Sequence, residues 1–150
     1  MIAVEPGDPR HPQAMALLQA SHALMQELFE PEENHFLSVD QLCGPDVRFF
    51  TARNGETITG CAALALRDGY GEIKSMFVSP DARGTGTADA LMRMLEDEAR
   101  AAGLPWLRLE TGDLLHAAHK LYARHGFETC GPFGAYQANS SSVFMEKPLA

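Results

Sequence analysis

The sequence predicts a mixed α/β domain in which helices cover a mainly antiparallel sheet of about six to seven strands. Three observations carry that expectation. Residues 47–78 hold three strand-like runs separated only by the turn pairs Asn54-Gly55 and Asp68-Gly69, the pattern of an antiparallel meander. Two longer stretches, opening at Pro12 and at Thr87, repeat apolar residues at three-to-four spacing. The remaining segments alternate strand and helix without a repeat, a low-complexity tract or a long linker, so residues 1–150 are expected to form one domain.

In chain order, Ile2 to Glu5 is a short strand. Pro12 suits a first helical position, and Leu17, Leu18, Ala20, Leu24, Met25 and Leu28 mark an apolar face that must end before Pro31. Glu30 to Asn34 is a polar loop, and Ser38 caps a short helical turn through Leu42. Val47 to Arg53, Thr57 to Leu66 and Gly71 to Val78 are the meander, closed by Pro80. Thr87 to Ala102 is a helix with Ala88, Leu91, Met92, Leu95 and Ala99 on one face and Gly103 as its stop. Trp106 to Thr111 is a strand, Leu115 to His125 a helix stopped by Gly126, and Phe127 to Cys130 and Val143 to Lys147 are two closing strands.

Composition narrows the function classes. Twenty acidic against twelve basic residues give a net charge of −8, which disfavours nucleic-acid and anionic-membrane partners and mildly favours a cationic small molecule. No apolar run approaches the roughly 18 residues of a membrane span, and Met1 to Pro6 lacks the pattern of a signal peptide, so a cytoplasmic protein is expected. Cys43, Cys61 and Cys130 are far apart and form no C-x-x-C pair, which fits reduced structural thiols. His116, His119 and His125 have no carboxylate or cysteine cluster beside them. They read as surface histidines, and no metal is assigned.

Chemistry concentrates where a strand gives way to a helix, at Ser79-Pro80-Asp81-Ala82-Arg83-Gly84-Thr85-Gly86-Thr87-Ala88. Unpaired backbone N–H groups and the helix dipole attract anions there, and Gly84 and Gly86 remove side chains that would hold a phosphate away. Arg83 adds charge-assisted bonds to the same oxygens. A dinucleotide fingerprint does not fit, because residues 79–83 intervene between strand and glycines and Asp89 stands where a third small residue belongs. A P-loop does not fit either, for want of Gly-Lys-Ser/Thr.

Arg83-x-x-Gly86-x-Ala88 resembles the R/Q-x-x-G-x-G/A coenzyme A motif of the GNAT acetyltransferases, and Leu121-Tyr122-x-x-x-Gly126-Phe127 resembles that superfamily's second signature. The element order is similar across nearly the whole chain. Gly71 to Met76, Leu109 to Gly112, Cys130 to Phe133 and Ser142 to Met145 further resemble a bacterial subgroup labelled indoleacetate acetyltransferase-like, although indoleacetate has no amine to acetylate.

The resemblance implies transfer of an acetyl group from acetyl coenzyme A, bound as co-substrate, to the amine of a small molecule. Arg83, Gly84, Thr85, Gly86, Thr87 and Ala88 would hold the pyrophosphate. Met76, Phe77 and Val78 would pair with the pantetheine arm, and the Met76 or Phe77 N–H would serve the oxyanion. Tyr122 matches the hydroxyl that protonates the departing thiolate. Glu72 matches the general base of the histone-acetylating branch, with Glu110 or a water chain as rivals. One departure is Leu115, where the family often has Asn. His22, Met25, Glu30 and His35 fall where one wall of the acceptor site is expected, and Phe133, Tyr136 and Asn139 where the other is. A non-catalytic acetyl coenzyme A sensor and a peptide N-acetyltransferase stay open as alternatives, as does a homodimer.

Overall fold

The computed structural model describes residues 1–149. Its elements are β1 (Ile2–Pro6), α1 (Pro12–Leu28), α2 (Val39–Leu42), β2 (Val47–Asn54), β3 (Thr57–Arg67), β4 (Tyr70–Val78), α3 (Thr87–Ala101), β5 (Trp106–Gly112), α4 (His116–Arg124), β6 (Glu128–Cys130) and β7 (Ser142–Pro148). Seven strands form one sheet in the order β1-β2-β3-β4-β5-β7-β6. Only β4 and β5 run parallel, and α3 supplies the crossover that a parallel pair requires.

The expected elements are present, with two differences. A short 3-10 turn at Pro31–Glu33 lies inside the expected polar loop, closed by a capping box between Glu30 and Glu33. On α1 the buried face is Ala14, Leu17, Leu18 and Ser21, while Ala20 faces solvent. The apolar spacing tolerates either choice, and contact with the sheet decides it.

The sheet separates two cores. Alternation along β2 and β3 sends Phe50, Ala62 and Leu64 to one face, against Leu91, Met92 and Leu95 of α3 and Leu121 and Tyr122 of α4. Phe49, Cys61 and Ala63 go to the other, against Ala14, Leu17 and Leu18 of α1 and Leu42 after the Ser38 cap. A central strand covered on both faces needs apolar residues at every position, which is why Cys61-Ala62-Ala63-Leu64-Ala65 shows no polar alternation. Burial pushes the Cys61 thiol up to about 12, so it stays protonated, and it donates to the Ser75 carbonyl at 3.4 Å.

Two irregularities in β4 shape the space beside it. Ser75 and Met76 together face the single residue Ala62 of β3, and Ser75 adopts φ +56. This is a β-bulge, which bends a strand and raises its twist. The parallel pairing of β4 with β5 stops at Ile73↔Leu109. From Lys74 onward β4 diverges, while Glu110, Thr111 and Gly112 of β5 stay paired with β7.

Candidate active site

The divergence opens a cavity of about 130 Å³ between the strands. Its walls include Lys74, Ser75 and Met76 of β4, Glu110 to Gly112 of β5, and Leu115, Ala118 and Tyr122 of α4. Ser21, His22 and Met25 of α1 close it from the other side of the sheet. Among the described residues the edge of β4 that would face β5 has no strand partner beyond Ile73, so its amide groups are available to an extended ligand that pairs like a strand.

At the end of β4 the chain enters the anion loop. A 3-10 turn at Pro80–Ala82 leads to Gly84 at φ +78 and Gly86 at φ +88, and Gly86 is the N-cap residue of α3. Among the described residues, the glycine and its chain neighbours apart, no atom lies within 4 Å of where a Cβ on either glycine would sit, so the loop surface is open. The Thr85 hydroxyl donates to the Ala82 carbonyl at 2.5 Å and lies 2.8 Å from the Thr87 hydroxyl, which ties the loop to the first turn. Thr87 is buried and Arg83 exposed. An open cradle of glycines at the start of a 15-residue helix suits a pyrophosphate. Asp89, also in that first turn, is held below the usual carboxylate range by the Arg124 guanidinium and the His125 ring.

Tyr122 lines the cavity and is buried. Burial, reinforced by the charge of Glu110, pushes its hydroxyl well above the usual phenol range. Glu110 lines the same cavity, and its Oε2 accepts from the Ser142 hydroxyl at 2.8 Å. Leu115 is the N-cap residue of α4 and offers no side-chain cap. Gly112 is the residue of its motif that packing explains, because a Cβ there would fall 2.1 Å from the ring of Phe29.

Glu72 lies elsewhere. It is buried, does not line the cavity, and both its oxygens are engaged. Arg67 Nε donates to Oε1 at 3.2 Å, while Tyr136 OH, at 2.5 Å, and Lys74 Nζ, at 3.4 Å, approach Oε2. Lys74, also buried, donates to the His35 carbonyl at 2.8 Å and to the Tyr136 hydroxyl at 2.7 Å. This network floors a second, wider groove of about 800 Å³, which shares Glu33, His35, Phe36 and Lys74 with the cavity.

Of the expected acceptor-wall residues, His22, Met25 and His35 line the cavity, and Tyr136 and Asn139 line the groove. Glu30 does neither, its neighbour Glu33 taking that place. Phe133 is buried in an aromatic cluster with Tyr70, Tyr136 and Phe144. His119 bonds the Gly112 carbonyl at 2.8 Å, and the His125 side chain is only 15% exposed against Asp89, so neither is the free surface histidine its spacing suggested. Sequence reasoning did not single out Arg67 or Lys74, although a lysine between Ile73 and Ser75 in an otherwise buried strand was a visible signal.

A bulged strand, a parallel pair that splays and an open loop at the start of α3 set a cavity and an anion cradle along one strand. The Acetyltransferase (GNAT) family matches residues 16–127, and the chain belongs to it. It is 43% identical over 143 residues to the IAA acetyltransferase of Azospirillum brasilense, spanning 94% of each chain. A Klebsiella pneumoniae chain studied as a candidate acyl-CoA N-acyltransferase superposes with a TM-score of 0.84 at 34% identity, covering 100% of this chain and 99% of that one. The PaiA N-acetyltransferase of Thermoplasma acidophilum, solved with coenzyme A, shares the fold at 14% identity with a TM-score of 0.76, covering 99% of each chain. The chain is thus an acetyltransferase that uses coenzyme A as carrier. Among the described residues no helix is long and apolar enough to cross a membrane.

Proposed function

We propose that this protein moves the acetyl group of acetyl coenzyme A to the amine of a small molecule by direct attack in the cavity between β4 and β5. The observation that carries this is the continuity of three features along one strand. The unpaired edge of β4 ends at the open loop around Gly84 and Gly86 and begins at the cavity shared by Tyr122 and Glu110.

In this reading Arg83 and the N–H groups of residues 84–88 hold the pyrophosphate, and Met76, Phe77 and Val78 pair with the pantetheine arm. A thioester needs little activation, so the protein's work is to place a neutral amine against the carbonyl and stabilise the oxyanion. The Met76 or Phe77 N–H, beside the bulge, is the donor for that oxyanion. Glu110 takes the proton of the acceptor's ammonium group, directly or through water. We assign this to Glu110 rather than Glu72 because Glu110 lines the cavity, whereas both Glu72 oxygens are occupied by donors. The amine nitrogen then bonds the carbonyl carbon and the carbon–sulfur bond breaks; the nitrogen gives up its surplus proton and the sulfur takes one up, so the products are the amide and the free thiol of coenzyme A.

Tyr122 stands by the leaving sulfur. Its raised pKa keeps the proton on the hydroxyl throughout the physiological range, so Tyr122 meets the sulfur as a neutral donor and serves as the general acid for the departing thiolate. The Azospirillum relative is named IAA acetyltransferase, and the subgroup that the sequence resembles is labelled for indoleacetate. That compound has no amine, and we retain an amine as acceptor. The test is thiol release from acetyl coenzyme A across polyamines, amino acids, aminoglycosides and peptides. Acceleration by small amines supports the reading, binding without turnover points to a sensor, and turnover with folded proteins or peptides alone overturns the small acceptor.

A further inference from the structure

We propose that the groove beside the cavity is a carboxylate-binding subsite built on Arg67, so that the acceptor is an amine that also carries a carboxylate, as an amino acid does. The inference rests on the acetyl-transfer reading.

The groove floor holds two cations, Arg67 and Lys74, around the single carboxylate of Glu72. Tyr136 cannot supply the missing negative charge. Burial, with the charge of Glu72 and the hydrogen bond to it, raises its hydroxyl so far that it stays neutral. Lys74 and Glu72 are almost fully buried, at 8% and 3% exposure, and neutralise each other, which leaves the partly exposed Arg67 as the cation open to a further anion.

The donors available to such an anion belong to Arg67. An ammonium group has three hydrogens, and those of Lys74 are taken by the His35 carbonyl, the Tyr136 hydroxyl and Glu72. Arg67 spends only its Nε on Glu72. Its two terminal amino groups have no protein partner among the described residues, the side chain is 37% exposed, and it lines the groove. A guanidinium tethered by Nε to a buried carboxylate is fixed in orientation, with its outer edge free for the two oxygens of a second carboxylate.

The opposite rim explains the amine. Glu32 and Glu33 face the same groove, and Glu33 also lines the cavity. Hydrogen bonds from the Ser141 hydroxyl and the Glu30 backbone hold the Glu33 carboxyl below its usual range, so it is ionised at neutral pH. A ligand lying from Arg67 past Glu33 meets a positive end and then a negative one, with the rings of Tyr70, Phe36 and Tyr136 along the groove for an apolar body.

The proposal separates from catalysis by direct binding. In calorimetry of the acetyl coenzyme A-saturated wild type, 3-phenylpropionate should bind about tenfold or more tightly than its carboxamide, and Arg67→Gln should remove that difference. Absence of any carboxylate preference in the wild type, or its persistence in Arg67→Gln, overturns the subsite whether or not the enzyme turns over. In thiol-release assays phenylalanine should exceed phenylalaninamide in kcat/KM by about tenfold or more, through KM, and Arg67→Gln should equalise them with KM for acetyl coenzyme A unchanged. Arg67→Lys should restore part of the preference. If Arg67 served only to neutralise Glu72, the Gln variant would lose urea stability and keep the preference, which also overturns the proposal. Carboxylate binding with no turnover of any amine would instead defeat the acetyl-transfer reading and leave the subsite standing.

Discussion

The Tyr136 hydroxyl donates to Glu72 Oε2 at 2.5 Å, so a residue from the long loop between β6 and β7 closes over a carboxylate in the middle of β4. Tyr136 also accepts from Lys74, which in turn holds the His35 carbonyl. Three separate segments therefore meet in one buried network. Tyr136→Phe should leave the carboxylate and the ammonium each short of a partner and cost about 1–3 kcal/mol. A urea midpoint equal to that of the wild type would show that the loop is held by other contacts.

The same engagement divides the two acidic candidates for the base. Glu110→Gln should lower kcat by about 10²-fold or more, because it deletes the cavity carboxylate. Glu72→Gln should chiefly lower stability. A folded Glu72→Gln variant with wild-type urea stability and an equally lowered kcat would return the base to Glu72.

Removing the Tyr122 hydroxyl should slow turnover at least about tenfold if breakdown of the carbon–sulfur bond limits the rate. Affinity for acetyl coenzyme A should hardly change in Tyr122→Phe, since the loop at Gly84 and Gly86 and the edge of β4 are untouched. Wild-type turnover in single-turnover kinetics would remove Tyr122 from the chemistry.

Gly86→Glu should abolish acetyl coenzyme A binding by setting a negative charge in the anion loop. The position also has φ +88, which strains any side chain by roughly 1–2 kcal/mol. Gly86→Asn provides the control, because Asn tolerates this conformation better and adds no charge. Calorimetry should show binding kept in large part by Asn and lost with Glu. Equal affinity for both variants and the wild type would place the pyrophosphate elsewhere.

Acid sensitivity has an identifiable source in His22. Its ring stacks on Phe36 at 4.1 Å, its Nε2 is buried without a partner among the described residues, and burial holds its pKa below the usual imidazole range. The unfolded chain therefore takes up this proton more readily than the native one. Stability from this group is complete above the unfolded pKa of about 6.5 and is lost as pH falls through that value toward the folded one. Melting temperature should drop between about pH 7.5 and 5.5, and His22→Phe, which keeps the stack, should make the drop shallower. An unchanged slope would remove His22 as the cause.

The sequence by itself determined what depends on neighbours along the chain. Turn pairs at 54–55 and 68–69 set the meander, helical spacing set α3, and two short motifs marked the anion loop and Tyr122. Tertiary structure decided what depends on pairing between distant segments. Local pattern does not say that β7 inserts between β5 and β6, nor that β4 and β5 part after Ile73, yet those two facts create the cavity. Nor does it say that Glu72, matched to a general base, is enclosed by Arg67, Lys74 and Tyr136. Charge in a sequence is a property of one residue, whereas the availability of that charge to a substrate is set by what folding packs against it, and for Glu72 the nearest hydroxyl comes from 64 residues away.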